Sequence, residues 1–309
     1  MRISNTSFTD NFLNQVQQLQ QQQQTLQGES TTGLSVSLPE DNPAVMAQVL
    51  SLQSDSAANA SYQNNITQLQ STATTSATAM NSLQTLVSQV SDIATEASNG
   101  TTSSAQLSDY ATQVQSLIQQ AVQLGNTQDE NGNYIFSGTA SDTKPFATTT
   151  TNGKITAVTC ALVDGTELAQ SEIAPNTKVS AQVLASGTDG LFTNTTTGAD
   201  LFNDMLSLQS NLESGDTSAI NSTDTPALQT DEDNIVDQIS ANGVTQSALS
   251  AASSLATAQS TNLTTQISGD TSADMAKTLT ELSQTQTAYE AALESGQMVM
   301  SVSLLNFLS

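Results

Sequence analysis

Histidine and tryptophan are missing from this 309-residue chain, and aromatic residues make up only 4% of it. Without His there is no imidazole general base, no Ser-His-Asp triad and no His-ligated zinc. Cys160 is the only cysteine, so no intrachain disulfide can form. It falls in an expected strand, where packing is the expected role rather than nucleophilic chemistry. Cations are equally scarce: five Lys and Arg stand against 29 acids, for a net charge of −24. Arg2, Lys144, Lys154, Lys178 and Lys277 are too scattered to make a phosphate-binding face, which argues against nucleic acid and anionic membranes. The first 20 residues have one cation and no apolar run of signal-peptide length, and no stretch approaches the roughly 20 apolar residues of a membrane span. Gly-rich phosphate loops are absent too.

What is present is Ala, Ser, Thr, Gln and Asn, with 36% hydrophobic residues. That composition suits thin elements, long helices side by side and a small sheet, better than one thick core. The last stretch organises the reading. Met275, Leu279, Leu282, Tyr289, Leu293, Gly296, Met300 and Phe307 recur at steps of 3, 4 or 7, with Gln286 and Ser303 in the skipped places. This is the seam of a helix wound against another helix. From 298 to 308, eight residues of eleven are apolar and face all sides. A helix of that kind requires enclosure by protein. Residues 1–34 mirror it: Phe8, Phe12, Val16, Leu19 and Leu26 form a second narrow seam, with Gln23 in the skipped place. The Gln-rich run at 15–24 reads as a Gln-coated helix, with a low-complexity segment as the alternative.

Between the ends, Gly33 stops the first helix, and Asn42 and Pro43 fit the N-cap and first turn of the next. That helix is expected over 43–98, with Tyr62, Ile66, Leu69, Ala73, Met80, Leu83, Val87, Val90, Ala94 and Ala97 on one stripe. A third helix is expected over 104–124, a fourth over 199–212, and a long one over 227–267 that Asn242-Gly243 interrupts and 268–270 terminates. Tyr134-Ile135-Phe136 reads as a short strand after the turn at 129–133; 155–163 and 178–184 are the best strands of the middle, with Asp164-Gly165 a turn signal. The fold class is therefore mainly α: a long antiparallel helical rod or coiled coil from both chain ends, with a small β-rich insert. The expected domains are terminal coiled-coil segments at 1–42 and 270–309, a helical rod at 43–139 and 199–269, and a β-rich outer insert at 140–198. Among the acids, Asp129, Asn131 and Asn133 hint at a calcium loop, but Gly132 stands before the third ligand, which favours a hairpin turn. Asp231, Glu232 and Asp233 read as acids at a helix start, opposing its positive end.

Met1-Arg2-Ile3-Ser4, Thr32-Gly33, the run from Pro39 to Pro43, the run from Asn131 to Gly138 before Pro145-Phe146, Leu282 with Gln286, and Ser303-Leu304-Leu305-Asn306-Phe307-Leu308 occur in this order. Together they resemble the flagellin superfamily, and within it the hook-associated protein 3 family of hook–filament junction proteins. Leu34, the Asp41-Asn42 pair and the Asn306-Phe307-Leu308 ending depart from the commoner residues of that family. The resemblance covers both helical ends, about 1–146 and 199–309. It implies terminal helices paired in a coiled coil, a ring of identical subunits, and hook-associated protein 1 and flagellin as neighbours. It also implies export through the flagellar type III apparatus with a chaperone, no cleaved signal peptide, and an extracellular place in the flagellum. No enzyme activity, cofactor or metal is expected. The filament flagellin itself is the alternative, and a coiled-coil scaffold protein a further one. The expected assembly interface is Phe8, Phe12, Val16, Leu19, Leu26, Leu293, Val299, Met300, Val302, Leu304, Leu305, Phe307 and Leu308.

Overall fold

The structure, a computed structural model, describes the backbone of residues 5–99, 101–162 and 167–308, and the side chains of these except 5–9 and 299–308. Arg2 and the Asp164-Gly165 turn signal lie outside the described residues. In chain order the helices are α1 (Asn5–Thr32), α2 (Pro43–Ala97) and α3 (Ser104–Gly125), then α4 (Leu201–Ser214), α5 (Thr217–Ala219), α6 (Thr225–Thr271) and α7 (Met275–Leu308). Between α3 and α4 lie β1 (Phe146–Thr151), β2 (Lys154–Cys160), β3 (Ser171–Ala174), β4 (Thr177–Val179), β5 (Ser186–Gly187), β6 (Thr193–Asn194) and β7 (Ala199–Asp200). The fold is mainly α with small sheets. The chain divides into two compact units, one of residues 1–58 with 259–309, the other of 59–258.

The larger unit is built on the stripe of α2. Ile66, Leu69, Ala73, Met80, Leu83, Val87, Val90, Ala94 and Ala97 are all buried, at steps of 3, 4 or 7. From Met80 onward they pack with Leu107, Val114, Ile118 and Ala121 of α3, Met205 and Leu208 of α4, and Leu228 and Ile235 of α6, while Leu69 and Ala73 cluster with Ala181 and with Leu249 of α6. Alanines at the contact let the helices approach closely. The Ser and Thr residues that would weaken long helices are absorbed by them: Thr67, Thr72, Thr78, Thr85 and Thr95 of α2 each donate to the carbonyl four residues back. Ser103 opens α3 with a reciprocal cap, its side chain accepting from the Gln106 N–H while Gln106 accepts from the Ser103 N–H.

Phe136, Phe146, Phe192 and Phe202 gather at one end of this core, with ring centroids 4.8–5.8 Å apart. Gly125 makes room for them: a Cβ there would lie 2.6 Å from Phe146 Cδ2 and 3.1 Å from Phe192 Cζ. Asn126 then pairs with the backbone of Phe146 in both directions, donating to its carbonyl (3.0 Å) and accepting from its N–H (2.9 Å). Among the described residues the β region forms three separate small sheets: the β1–β2 hairpin, the β3–β4 hairpin, and β5-β6-β7. Buried Asn194 donates to Asn234 Oδ1 (2.7 Å), and Asn234 donates to the carbonyls of Gly190 and Leu191.

Several local expectations need correction. Tyr134–Phe136 is not a strand. Tyr134 makes a single bridge to Gln128, and the chain then turns so that Ile135 and Phe136 enter the core. The strand expected at 178–184 is confined to the short β4. Asn242-Gly243 does not interrupt α6, because the Asn242 side chain accepts from Gln246 Nε2 (2.6 Å) within the helix instead of capping an end. Nor does 268–270 end it: α6 runs to Thr271, and what stops it is pairing, since Ser35 N–H donates to Thr271 O and Ala273 N–H to Gly33 O. Pro226 sits inside helix rather than in a loop. It has no N–H for a bond four residues back, and the preceding turn, Ile220–Asp224, is widened to π geometry with the Thr225 N–H donating to Ile220 O. Cys160 is exposed at the end of β2 rather than packed, and partial burial pushes its thiol above the usual range while a backbone bond with Leu162 pulls the other way.

Candidate assembly surface

In the smaller unit, α1 lies against α7. The two run antiparallel, since Thr278 at the start of α7 donates to Glu29 near the end of α1 (3.3 Å), while Gly296 meets Phe12 near its start. Asp274 starts α7 by accepting the N–H groups of Ala276 and Lys277 on one carboxylate oxygen. Asn42 accepts the Val45 N–H ahead of Pro43, as its sequence position predicts for the start of α2. Asp41 accepts from the N–H groups of Leu38 and Ser37, which hold its carboxyl below the usual range.

The α1 face of this pair follows the sequence pattern. Phe12, Val16, Leu19 and Gln23 are half-buried and Leu26 is buried. Full burial of one Leu contributes roughly 2 kcal/mol. The α7 face is offset by one residue from the pattern. Its enclosed positions are Thr278, Leu282, Thr285, Tyr289, Ala292 and Gly296, buried or half-buried at alternating steps of 4 and 3. Leu282, Tyr289 and Gly296 belong to the expected seam; Thr278, Thr285 and Ala292 take the places assigned to Leu279, Gln286 and Leu293. Leu279 is 51% exposed and Leu293 41%, with Met275 beside them at 40%. The spacing of 7 between Thr278 and Thr285 was available in the sequence, but a search for large apolar residues passes over threonine. Phe8, Val299, Met300, Val302, Leu304, Leu305, Phe307 and Leu308 have side chains outside the described residues.

The suspected calcium loop is an internally bonded turn. Asp129 Oδ1 accepts from the N–H of Asn131 (2.8 Å) and Asn133 (2.9 Å). Partial burial opposes its ionisation, and the donors of Asn133 and Asn131 outweigh that and lower its pKa. Among the described residues, no three or more His, Cys, Asp or Glu side chains converge to hold a metal ion, and no helix is long and apolar enough to cross a membrane. Of the open grooves between α2 and α3, one of about 420 Å³ includes Asp92, Glu96 and Tyr110 in its lining, and one of about 490 Å³ is lined by Gln, Ser, Thr and Leu.

Residues 3–141 match the family described as the bacterial flagellin N-terminal helical region. This N-terminal part of the chain is similar to the helical region of the flagellins. The matched region ends just beyond the turn that drives Ile135 and Phe136 into the core. Solved structures share the fold. A Vibrio parahaemolyticus protein assigned to the flagellar hook-associated proteins is 21% identical, with a TM-score of 0.65 over 75% of this chain and 100% of its own. Flagellar hook-associated protein 3 from Legionella pneumophila is 14% identical, with a TM-score of 0.58 over 75% of this chain and 98% of its own. The flagellar junction protein of the same organism is 13% identical, with a TM-score of 0.52 over 66% of this chain and 99% of its own. No curated protein matches the sequence.

Proposed function

We propose that this chain is a structural subunit of the bacterial flagellum, the junction protein that joins hook to filament. The observation that carries the reading is the inversion along α7. The helix places Thr278, Thr285 and Ala292 against α1 and leaves Met275, Leu279 and Leu293 facing out. A free-standing pair of helices would place its leucines inside. A subunit that finishes its core with neighbours does the opposite, and covering each of these side chains contributes about 1 kcal/mol. The shared fold of hook-associated and junction proteins supports the place in the assembly.

The subunits form a ring between hook-associated protein 1 and flagellin. The chain reaches that position through the type III export apparatus, held by an export chaperone and without a cleaved signal peptide. The terminal segments 1–42 and 270–309 carry the self-assembly contacts, 43–139 and 199–269 the helical body, and 140–198 the outward insert. Within the expected interface, Phe12, Val16, Leu19 and Leu26 join α1 to α7, and Leu293 faces the neighbour. A second reading, filament flagellin, draws support from the family match at 3–141. Immuno-electron microscopy of whole cells separates the two: one labelled band between hook and filament supports the junction, and label along the whole filament supports flagellin. Leu293→Asp leaves the larger unit folded and blocks incorporation; normal incorporation of that variant counts against the α7 surface.

A further inference from the structure

Asp231 lies six residues inside α6, not at its first turn, and is 1% exposed. The opposing-end role expected for it is therefore not available: the helix has already begun, and water has been removed from around the carboxyl. Neither of its oxygens has a hydrogen-bond partner. Its neighbours in sequence are served, Glu232 accepting from Ser88 Oγ (3.0 Å) and Asp233 from Gln229 Nε2 (3.2 Å). The surrounding acids that have donors are Asp224, which accepts from Ser207 Oγ and Asn211 Nδ2, and Asp200, which accepts from Asn203 Nδ2. Asp204 of α4 faces Asp231 through both its charge and its carboxyl group. The titratable groups acting on the two are Asp200 at the end of β7, Asp224 in the π turn, and each other; no Lys or Arg is among them.

The backbone N–H of Asp200 is near enough to oppose the rise in the Asp231 pKa but makes no full hydrogen bond to it, and a buried carboxylate so poorly served, with two like charges nearby, is among the costliest arrangements a core can hold. A proton removes the cost and supplies the missing donor. We infer that Asp204 and Asp231 hold one proton between them, and that this shared proton fastens α4 to α6 across the neutral pH range. The inference concerns the folded subunit and stands apart from the proposed function. Burial first, then the charge and carboxyl of Asp204, push Asp231 up to about 9 from an ordinary 3.8, and Asp204 is raised as well, by burial and then by Asp200. The folded pKa is raised, so the folded state binds a proton that the unfolded chain has released. Stability is then lost as pH rises from the unfolded value toward the folded one.

The sequence makes this readable. With no His, and the single thiol of Cys160 titrating above its usual range, the α-amino group is the main other group changing charge between pH 6 and 8.5, and the Asp→Asn variants separate its contribution from that of the pair. The test is equilibrium urea unfolding of the full chain across that window, for the natural protein, Asp231→Asn and Asp204→Asn. In the natural protein the folding constant falls by up to about tenfold per pH unit. Asp231→Asn, which keeps shape and carries its own donor, flattens the profile and is the more stable at pH 8; Asp204→Asn reduces the slope. Added calcium chloride leaves the natural slope unchanged. A flat natural profile, an unaltered slope in Asp231→Asn, or a slope abolished by calcium would each overturn the shared proton.

Discussion

The ring of Phe12 rests directly on Gly296. A Cβ at 296 would fall 2.7 Å from Phe12 Cε1, so the absence of a side chain there sets how closely α1 and α7 approach. Gly296→Leu should force the ring aside and weaken the pairing by about 1–3 kcal/mol, since overpacking is only partly relieved by shifts. Amide exchange along 12–26 is the readout. In a Phe12→Ala background the same change should cost less, and the difference isolates the contact. An equal cost in both backgrounds would mean that the ring does not set the spacing.

Gly125 plays the corresponding part in the larger unit, where its neighbours are Phe146 and Phe192 rather than one movable ring. Both rings are enclosed, Phe192 edge-on to Phe136 and stacked on Phe202, Phe146 edge-on to Phe192 and tilted against Phe202, so they have little room to move. Gly125→Ala should destabilise by about 1–3 kcal/mol and lower Tm by about 3–10 °C. Calorimetry checks it; an unchanged Tm would show that the aromatic cluster yields.

Asn234 satisfies three buried groups at once: the Asn194 side chain and the carbonyls of Gly190 and Leu191. Asn234→Ala strands all three and should cost about 2–4 kcal/mol. Asn194→Ala strands only the Asn234 carbonyl of the pair, and also removes the acceptor for Thr196 and Thr197. Urea unfolding should rank Asn234→Ala as the more damaging.

How far the sequence reaches is clear from these elements. The α2 stripe could be read residue by residue, because a long helix buried on one face repeats its apolar positions in register with its own geometry. The buried seam of α7 lies one position from its apolar pattern, because apolarity marks what prefers to be covered, and in an assembling subunit the covered side need not be the apolar one. Asn194 with Asn234, and Asp204 with Asp231, could not be read at all. Their partners lie 40 and 27 residues away, and no local period connects a buried polar side chain to a distant donor. Asp231 differs from its sequence expectation for a related reason: acids after a proline look like a helix start, and only the π turn shows that the helix began earlier.

Asp41 supplies a prediction about acidity. Its carboxylate gathers the N–H groups of Leu38 and Ser37, so its pKa lies below 3.8. The turn it closes is intact above the ordinary carboxylate range and is lost as pH falls through the lowered value. Two-dimensional NMR should show the Ser37 and Leu38 amide signals moving together with a midpoint below 3.8. A midpoint at or above that value would remove Asp41 from the turn.

Cys160, exposed at the end of β2, has a practical consequence. Being the only thiol in the chain, it accepts one maleimide dye per molecule. Bleaching steps from a single labelled organelle then give stoichiometry directly, few for a connector and many for a filament.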